Sequence, residues 1–135
     1  MEGTSGKTGS YRLPTEAWRI LVADDEEIDR ISVQRLLEAR GHRVEMALDG
    51  AQAIEVSEAF RPDLVLLDLQ LPKLSGHEVC RHIRAQPWGK TLSIYAMTGM
   101  NRFGEIQRAR EAGFDGVLSK PIDAEAVARL LPHRV

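Results

Sequence analysis

A chain of 135 residues, 43% of them apolar and 28% charged, with a net charge of −2, can build one hydrophobic core and lacks the basic excess of a nucleic-acid binder. Its single cysteine, Cys80, excludes an internal disulfide, and beside Val79 and Ile83 it reads as a small buried hydrophobe. No stretch reads as a membrane-spanning helix or a signal peptide, so the expected compartment is the cytoplasm, with membrane attachment left to any larger protein that carries the domain.

Residues 1–15 are polar, aperiodic and rich in Gly and Ser. They are expected to form a flexible linker or tail, leaving 16–135 as the folded domain. The apolar run 19–23 ends abruptly in acids and reads as a strand. Ile28, Ile31, Val33, Leu36 and Leu37 then recur at helical spacing, with Gly41 as the stop. Residues 42–47 alternate, with Val44 and Met46 on one side, as a strand does. Asp49-Gly50 caps a helix to about residue 60. Leu64-Val65-Leu66-Leu67 is continuously apolar, the signature of a central strand buried on both faces. A helix over 76–85 is followed by the breaker Pro87. A strand over 93–97, a helix over 105–112 stopped by Gly113, a short strand over 116–119 and a last helix capped by Asp123 complete the pattern. Five strands alternating with five helices, (βα)5, specify an α/β fold: a parallel sheet covered on both faces and wound with right-handed crossovers.

The polar residues of interest follow the strands. Asp24 and Asp25 come after the first, Asp68 ends the third, Thr98 the fourth and Lys120 the fifth. In an open parallel sheet the carboxyl ends of the strands share one edge, where ligands bind, so these five should converge. Packed carboxylates repel, and a hard divalent cation relieves that repulsion; Mg²⁺ favours a few carboxylates plus water and phosphate oxygens. A carboxylate can also act as nucleophile on phosphorus, with cationic and hydrogen-bonding groups around the transferred oxygens. Taken singly, each residue has a plainer reading. Asp24 and Asp25 could cap the first helix, Thr98 could turn a loop and Lys120 could be a surface lysine. Their joint placement on the right strand ends favours the site.

The motifs Ile20-Leu21-Val22-Ala23-Asp24-Asp25-Glu26, Asp63-Leu64-Val65-Leu66-Leu67-Asp68-Leu69-Gln70-Leu71-Pro72, Ala96-Met97-Thr98-Gly99 and Gly113-Phe114-Asp115-Gly116-Val117-Leu118-Ser119-Lys120-Pro121 resemble the receiver domains of two-component response regulators, over residues 18–131. The resemblance implies a flavodoxin-like, doubly wound sheet in the order 2-1-3-4-5. It implies that Asp68 is the phosphoacceptor, and that Asp24, Asp25, Asp68 and the backbone carbonyl of Gln70 hold Mg²⁺ or Mn²⁺. Thr98 and Lys120 would contact the phosphoryl group, Thr98 as the switch, with a cis bond before Pro121. The implied donor is a phosphohistidine on a histidine kinase or phosphotransfer protein. The implied output is a change in the surface of the fourth helix, fifth strand and fifth helix, read by an unidentified partner. A homodimer through that surface is compatible with the pattern; direct nucleic-acid or membrane contact is not implied. The motifs around Thr98 and Lys120, with the polar lead-in, resemble the receivers of hybrid sensor histidine kinases somewhat more than stand-alone regulators.

Three positions depart from the commonest family pattern. Val117 stands where an aromatic switch residue is frequent, Leu71 where Met is, and Gly99 where Ala is. Met100 occupies a position where shielding of an acyl phosphate from water is expected. Two other classes of protein fit the residues less well. An interaction scaffold that has lost the switch is opposed by the intact acids, Thr98 and Lys120. A phosphatase with an aspartyl nucleophile is opposed by the absence of its Asp-x-Asp motif after the first strand. His42, His77, His82 and His133 form no ligand-spaced cluster and are expected at the surface.

Overall fold

The computed structural model describes residues 17–99 and 103–131. The expected tail at 1–15 and the readings at Met100 and His133 lie outside the described residues. The strands are β1 (Arg19–Ala23), β2 (Arg43–Ala47), β3 (Leu64–Asp68), β4 (Ser93–Thr98) and β5 (Gly116–Ser119). The helices are α1 (Glu27–Ala39), α2 (Gly50–Phe60), α3 (Gly76–Arg84), α4 (Phe103–Ala112) and α5 (Ala124–Leu130). All strand pairs are parallel, in the order β2-β1-β3-β4-β5. This is the doubly wound arrangement expected from the alternation of elements.

Alternation along each strand divides the core. Leu21, Ala23, Val65, Leu67, Ile94 and Ala96 face one way and pack with Ala53 of α2, Val79, Cys80 and Ile83 of α3, and Ala109 and Ala112 of α4. Ile20, Val22, Leu64, Leu66 and Met97 face the other way, onto Val33 and Leu37 of α1 and Val127 of α5. β3 is therefore buried at every residue. Each of its aliphatic side chains contributes roughly 1.5–3 kcal/mol through that burial.

Helix starts are fixed locally. Asp49 and Asp123 accept the amides of Gln52 and Ala126, and Ser75 and Glu78 form a reciprocal capping box at α3. α1 differs: its N-cap is Glu26, which makes no side-chain cap bond. Asp24 and Asp25 thus precede the helix and are available to the sheet edge. Arg84 ties the far side together, donating to the carbonyls of Gly113 (2.9 Å), Gly89 (3.0 Å) and Leu92 (2.7 Å) and to Asp115 (3.0 Å).

Several local expectations are corrected. His42, expected at the surface, is 4% exposed, because its Nδ1 accepts the Trp18 amide at 3.0 Å beside the start of β1. His77 is half-buried, and its ring stands edge-on to Phe114. Ile28, expected on the core stripe of α1, is 82% exposed; the buried residues of α1 are Val33 and Leu37, on later turns. Residues Pro87–Gly89 form a 3-10 turn that the break at Pro87 alone did not reveal.

Candidate functional site

Strand register brings the acids together. Ala23 lies opposite Leu67 in the β1–β3 pair, so Asp24 and Asp68 are the next residues on adjacent strand ends. β1 and β3 are also where the winding reverses, since β2 lies outside β1 while β4 and β5 lie beyond β3. A crevice at this point is the place where an open parallel sheet accepts ligands. Thr98 and Ser119 are paired at the ends of β4 and β5, and the Lys120 amide donates to the Thr98 carbonyl at 2.9 Å. The Lys120–Pro121 peptide is cis.

An open cleft of about 300 Å³ is lined by Asp25, Glu26, Asp68, Gln70, Thr98, Gly99 and Lys120. Asp24, outside that lining, has no exposed surface, while Asp68 is 7% and Thr98 6% exposed. Oδ1 of Asp68 accepts the Gln70 amide at 2.9 Å, and Oδ2 accepts from Lys120 Nζ at 2.8 Å. Oδ1 of Asp24 accepts the Glu26 amide at 3.0 Å. The backbone behind Asp68 is fixed by Gly76, whose amide donates to the Leu69 carbonyl at 3.1 Å. A Cβ at Gly76 would stand 2.5 Å from the Asp68 carbonyl oxygen, so only glycine lets α3 come this close.

Charge in the cleft is unevenly balanced. Lys120 Nζ lies 2.8 Å from both Asp24 and Asp68, and 3.3 Å from Asp29. Burial pulls the Lys120 ammonium down, but the Asp24 and Asp68 carboxylates, each 2.8 Å from Nζ, outweigh this and hold it above the ordinary lysine range. Burial pushes the Asp24 carboxyl up, against the opposing contacts of Lys120 and the Glu26 amide. The Glu26 carboxyl is raised by its hydrogen-bond contact with Asp29.

The donor set suits a hard divalent cation. Oxygens of Asp24, Asp25 and Asp68 lie within 4.8 Å of one another. Oδ2 of Asp24 is buried and close to Lys120 Nζ, yet that approach is off the hydrogen-bond direction and leaves the oxygen without an aligned donor. A cation coordinated by carboxylates would satisfy it.

The structure therefore gathers Asp24, Asp25, Asp68, Gln70, Thr98 and Lys120 at one edge. Val117 lies on β5 opposite Ala96, partly buried against the core, rather than in the cleft lining. Glu26 and Asp29 were missed by the sequence reading. Their signal is the acidic stretch from Asp24 to Asp29, which runs from the strand end into the first turn of α1.

Residues 20–131 match the family described as the response regulator receiver domain. The response regulators MprA of Mycolicibacterium vanbaalenii and Mycobacterium ulcerans are each 40% identical over 107 residues, 79% of this chain and 46% and 45% of their own lengths. The chain thus spans about half the length of these curated relatives. Among solved structures, chemotaxis protein CheY4 of Vibrio cholerae is similar with a TM-score of 0.81 at 27% identity, covering 85% of this chain and 96% of that one. The receiver domain of sensor histidine kinase PA1611 from Pseudomonas aeruginosa PAO1, solved with magnesium coordinated in its active site cleft, is similar with a TM-score of 0.79 at 31% identity, covering 85% and 94%.

Proposed function

Since this chain belongs to the response regulator receiver domain family, we propose that it is a phosphorylation switch that takes a phosphoryl group from a phosphohistidine onto Asp68. The carrying observation is the convergence of a buried nucleophilic carboxylate, two further acids and one lysine in a single cleft. In the transfer, a carboxylate oxygen of Asp68 bonds to phosphorus as the phosphorus–nitrogen bond to the donor imidazole breaks. The electron pair leaves on that nitrogen. The Gln70 amide and Lys120 hold the carboxylate in place before transfer. Lys120 then turns its donors to the phosphoryl oxygens.

Asp24, Asp25, Asp68 and the Gln70 carbonyl would hold Mg²⁺ or Mn²⁺. When bound, the cation neutralises negative charge on the transferred group. Thr98, at the end of β4, is the switch residue: its hydroxyl donates to the phosphoryl group and its movement alters the α4–β5–α5 surface. Val117 supplies no aromatic ring to that movement, so the readout rests on the backbone and on α4. The chain works in the cytoplasm, downstream of a histidine kinase or phosphotransfer protein. No described helix is long and apolar enough to cross a membrane. A place within a hybrid sensor kinase is the second reading, favoured by the likeness to the receiver of a sensor histidine kinase.

The test is incubation with acetyl phosphate, with and without Mg²⁺, followed by intact mass measurement. The expected result is a Mg²⁺-dependent gain of one phosphoryl group that Asp68→Asn abolishes. No gain by a folded wild-type protein refutes the switch and favours a scaffold.

A further inference from the structure

Lys120 has one more counter-ion than the transfer chemistry requires. An ammonium carries three N–H donors, and three carboxylates surround this one. They differ in kind. Asp24 and Asp68 belong to the acid cluster suited to a cation, and their side chains are 0% and 10% exposed. Asp29, on the first turn of α1, lies outside that cluster and its side chain is 32% exposed. Its oxygen is 3.3 Å from Nζ, longer than the 2.8 Å of the other two contacts.

We propose that Asp29 is a positioning residue that takes over the Lys120 ammonium when a divalent cation claims the carboxylates of Asp24 and Asp68. The inference rests on the reading of this cleft as a cation-dependent phosphoacceptor site. A cation and Lys120 draw on the same buried carboxylates and repel each other in a cleft where screening is weak. Asp29 offers the ammonium a partner that the cation does not contest. The flexible four-carbon stem of lysine covers the small displacement without backbone movement. Asp29 is already 3.3 Å from Nζ, so the ammonium moves little and stays beside the cleft. Glu26, in contact with Asp29, adds negative charge on the same outer side.

The test measures Mn²⁺ affinity by electron paramagnetic resonance on the full chain, with thermal unfolding of each variant as a folding control. Asp29→Asn keeps the size and polarity of the side chain and removes its charge. It is expected to weaken Mn²⁺ binding roughly three- to tenfold, through a lost charge contact in a partly buried cleft. Asp29→Glu restores affinity to within about twofold of wild type, since the charge returns one bond further out. In a Lys120→Met background, Asp29→Asn changes affinity by less than about twofold, because there is no ammonium left to hold. An equal loss in both backgrounds overturns the inference, since Asp29 then acts only through its own attraction for the cation. Unchanged affinity in Asp29→Asn also overturns it. Parallel acetyl phosphate labelling separates the two readings. A wild type that binds Mn²⁺ but takes no phosphoryl group sinks the phosphoacceptor reading and leaves the role of Asp29 to the metal data. Normal labelling with unchanged metal affinity in Asp29→Asn sinks the role of Asp29 alone.

Discussion

The Lys120 amide donates to the Thr98 carbonyl at 2.9 Å, so the hydroxyl and the ammonium at the cleft stand on two hydrogen-bonded strand ends. A displacement at one is felt through the backbone of the other. Thr98→Ala removes the hydroxyl and a methyl from a site 6% exposed, and should cost about 1 kcal/mol of stability. Phosphorylation of Asp68 is expected to persist in this variant. The difference in amide exchange of α4, β5 and α5 between phosphorylated and unphosphorylated protein should shrink by at least about half. A difference as large as in wild type removes Thr98 from the switch.

Asp24 is an acid with no exposed surface. Burial disfavours its charge, and Lys120 only partly compensates. Asp24→Asn keeps an acceptor for the Glu26 amide while removing that charge. Without divalent cation, the variant should unfold a few degrees above wild type. Adding Mg²⁺ should reverse the order. A ligand at a hundred times its Kd stabilises the native state by about 2.7 kcal/mol, and the variant lacks one of the proposed metal ligands. Calorimetric scans with EDTA and with Mg²⁺ give both comparisons.

Arg84 makes a different kind of claim on the fold. Its side chain, 19% exposed, donates to carbonyls of the α3–β4 connection and of the turn before β5, as well as to Asp115. Arg84→Met keeps the stem and strands those carbonyls, at an expected cost of about 2–4 kcal/mol in denaturant unfolding. Arg84→Lys should recover little, because a point charge cannot serve a forked set of acceptors.

His77 gives the chain a mild acid sensitivity. Burial holds its imidazole below the ordinary value of 6.5; Glu105 opposes this, and Arg108 and Arg81 reinforce it. The native state therefore favours the neutral ring, and the unfolded chain binds the proton first as pH falls. Stability from neutral His77 is complete above the unfolded value and is lost as pH falls through the lower native value. Between about pH 7 and pH 5, the melting temperature of His77→Gln should decline less steeply than that of wild type. The effect is small because the ring is only half-buried. Parallel slopes would assign the acid sensitivity elsewhere.

Most of the architecture was legible because the sequence is locally consistent. The unbroken run Leu64–Leu67 reads as a strand covered on both faces, and Asp49, Ser75 and Asp123 stand where their helices begin. The converging acids were legible for the same reason: each follows a strand whose direction the alternation had fixed. What escaped the reading depends on tertiary geometry. His42 is a polar residue in a polar turn until the Trp18 amide requires an acceptor. Ile28 keeps helical spacing but stands 82% exposed on the first turn of α1. Asp29 has the spacing of a surface acid, and only the reach of Lys120 across the sheet edge brings it into the site.

Gly76 carries a consequence for how such a switch is tuned. With α3 resting directly on the Asp68 carbonyl, and Leu67 locked in the core one residue earlier, the proposed phosphoacceptor inherits its position from the packing of the interior. Chemistry and thermal endurance are then not separately adjustable here. A methylene gained or lost around Leu67 would re-aim the carboxylate as it changes the fit of the core, so under the proposed function the lifetime of the signal would drift with the quality of the packing.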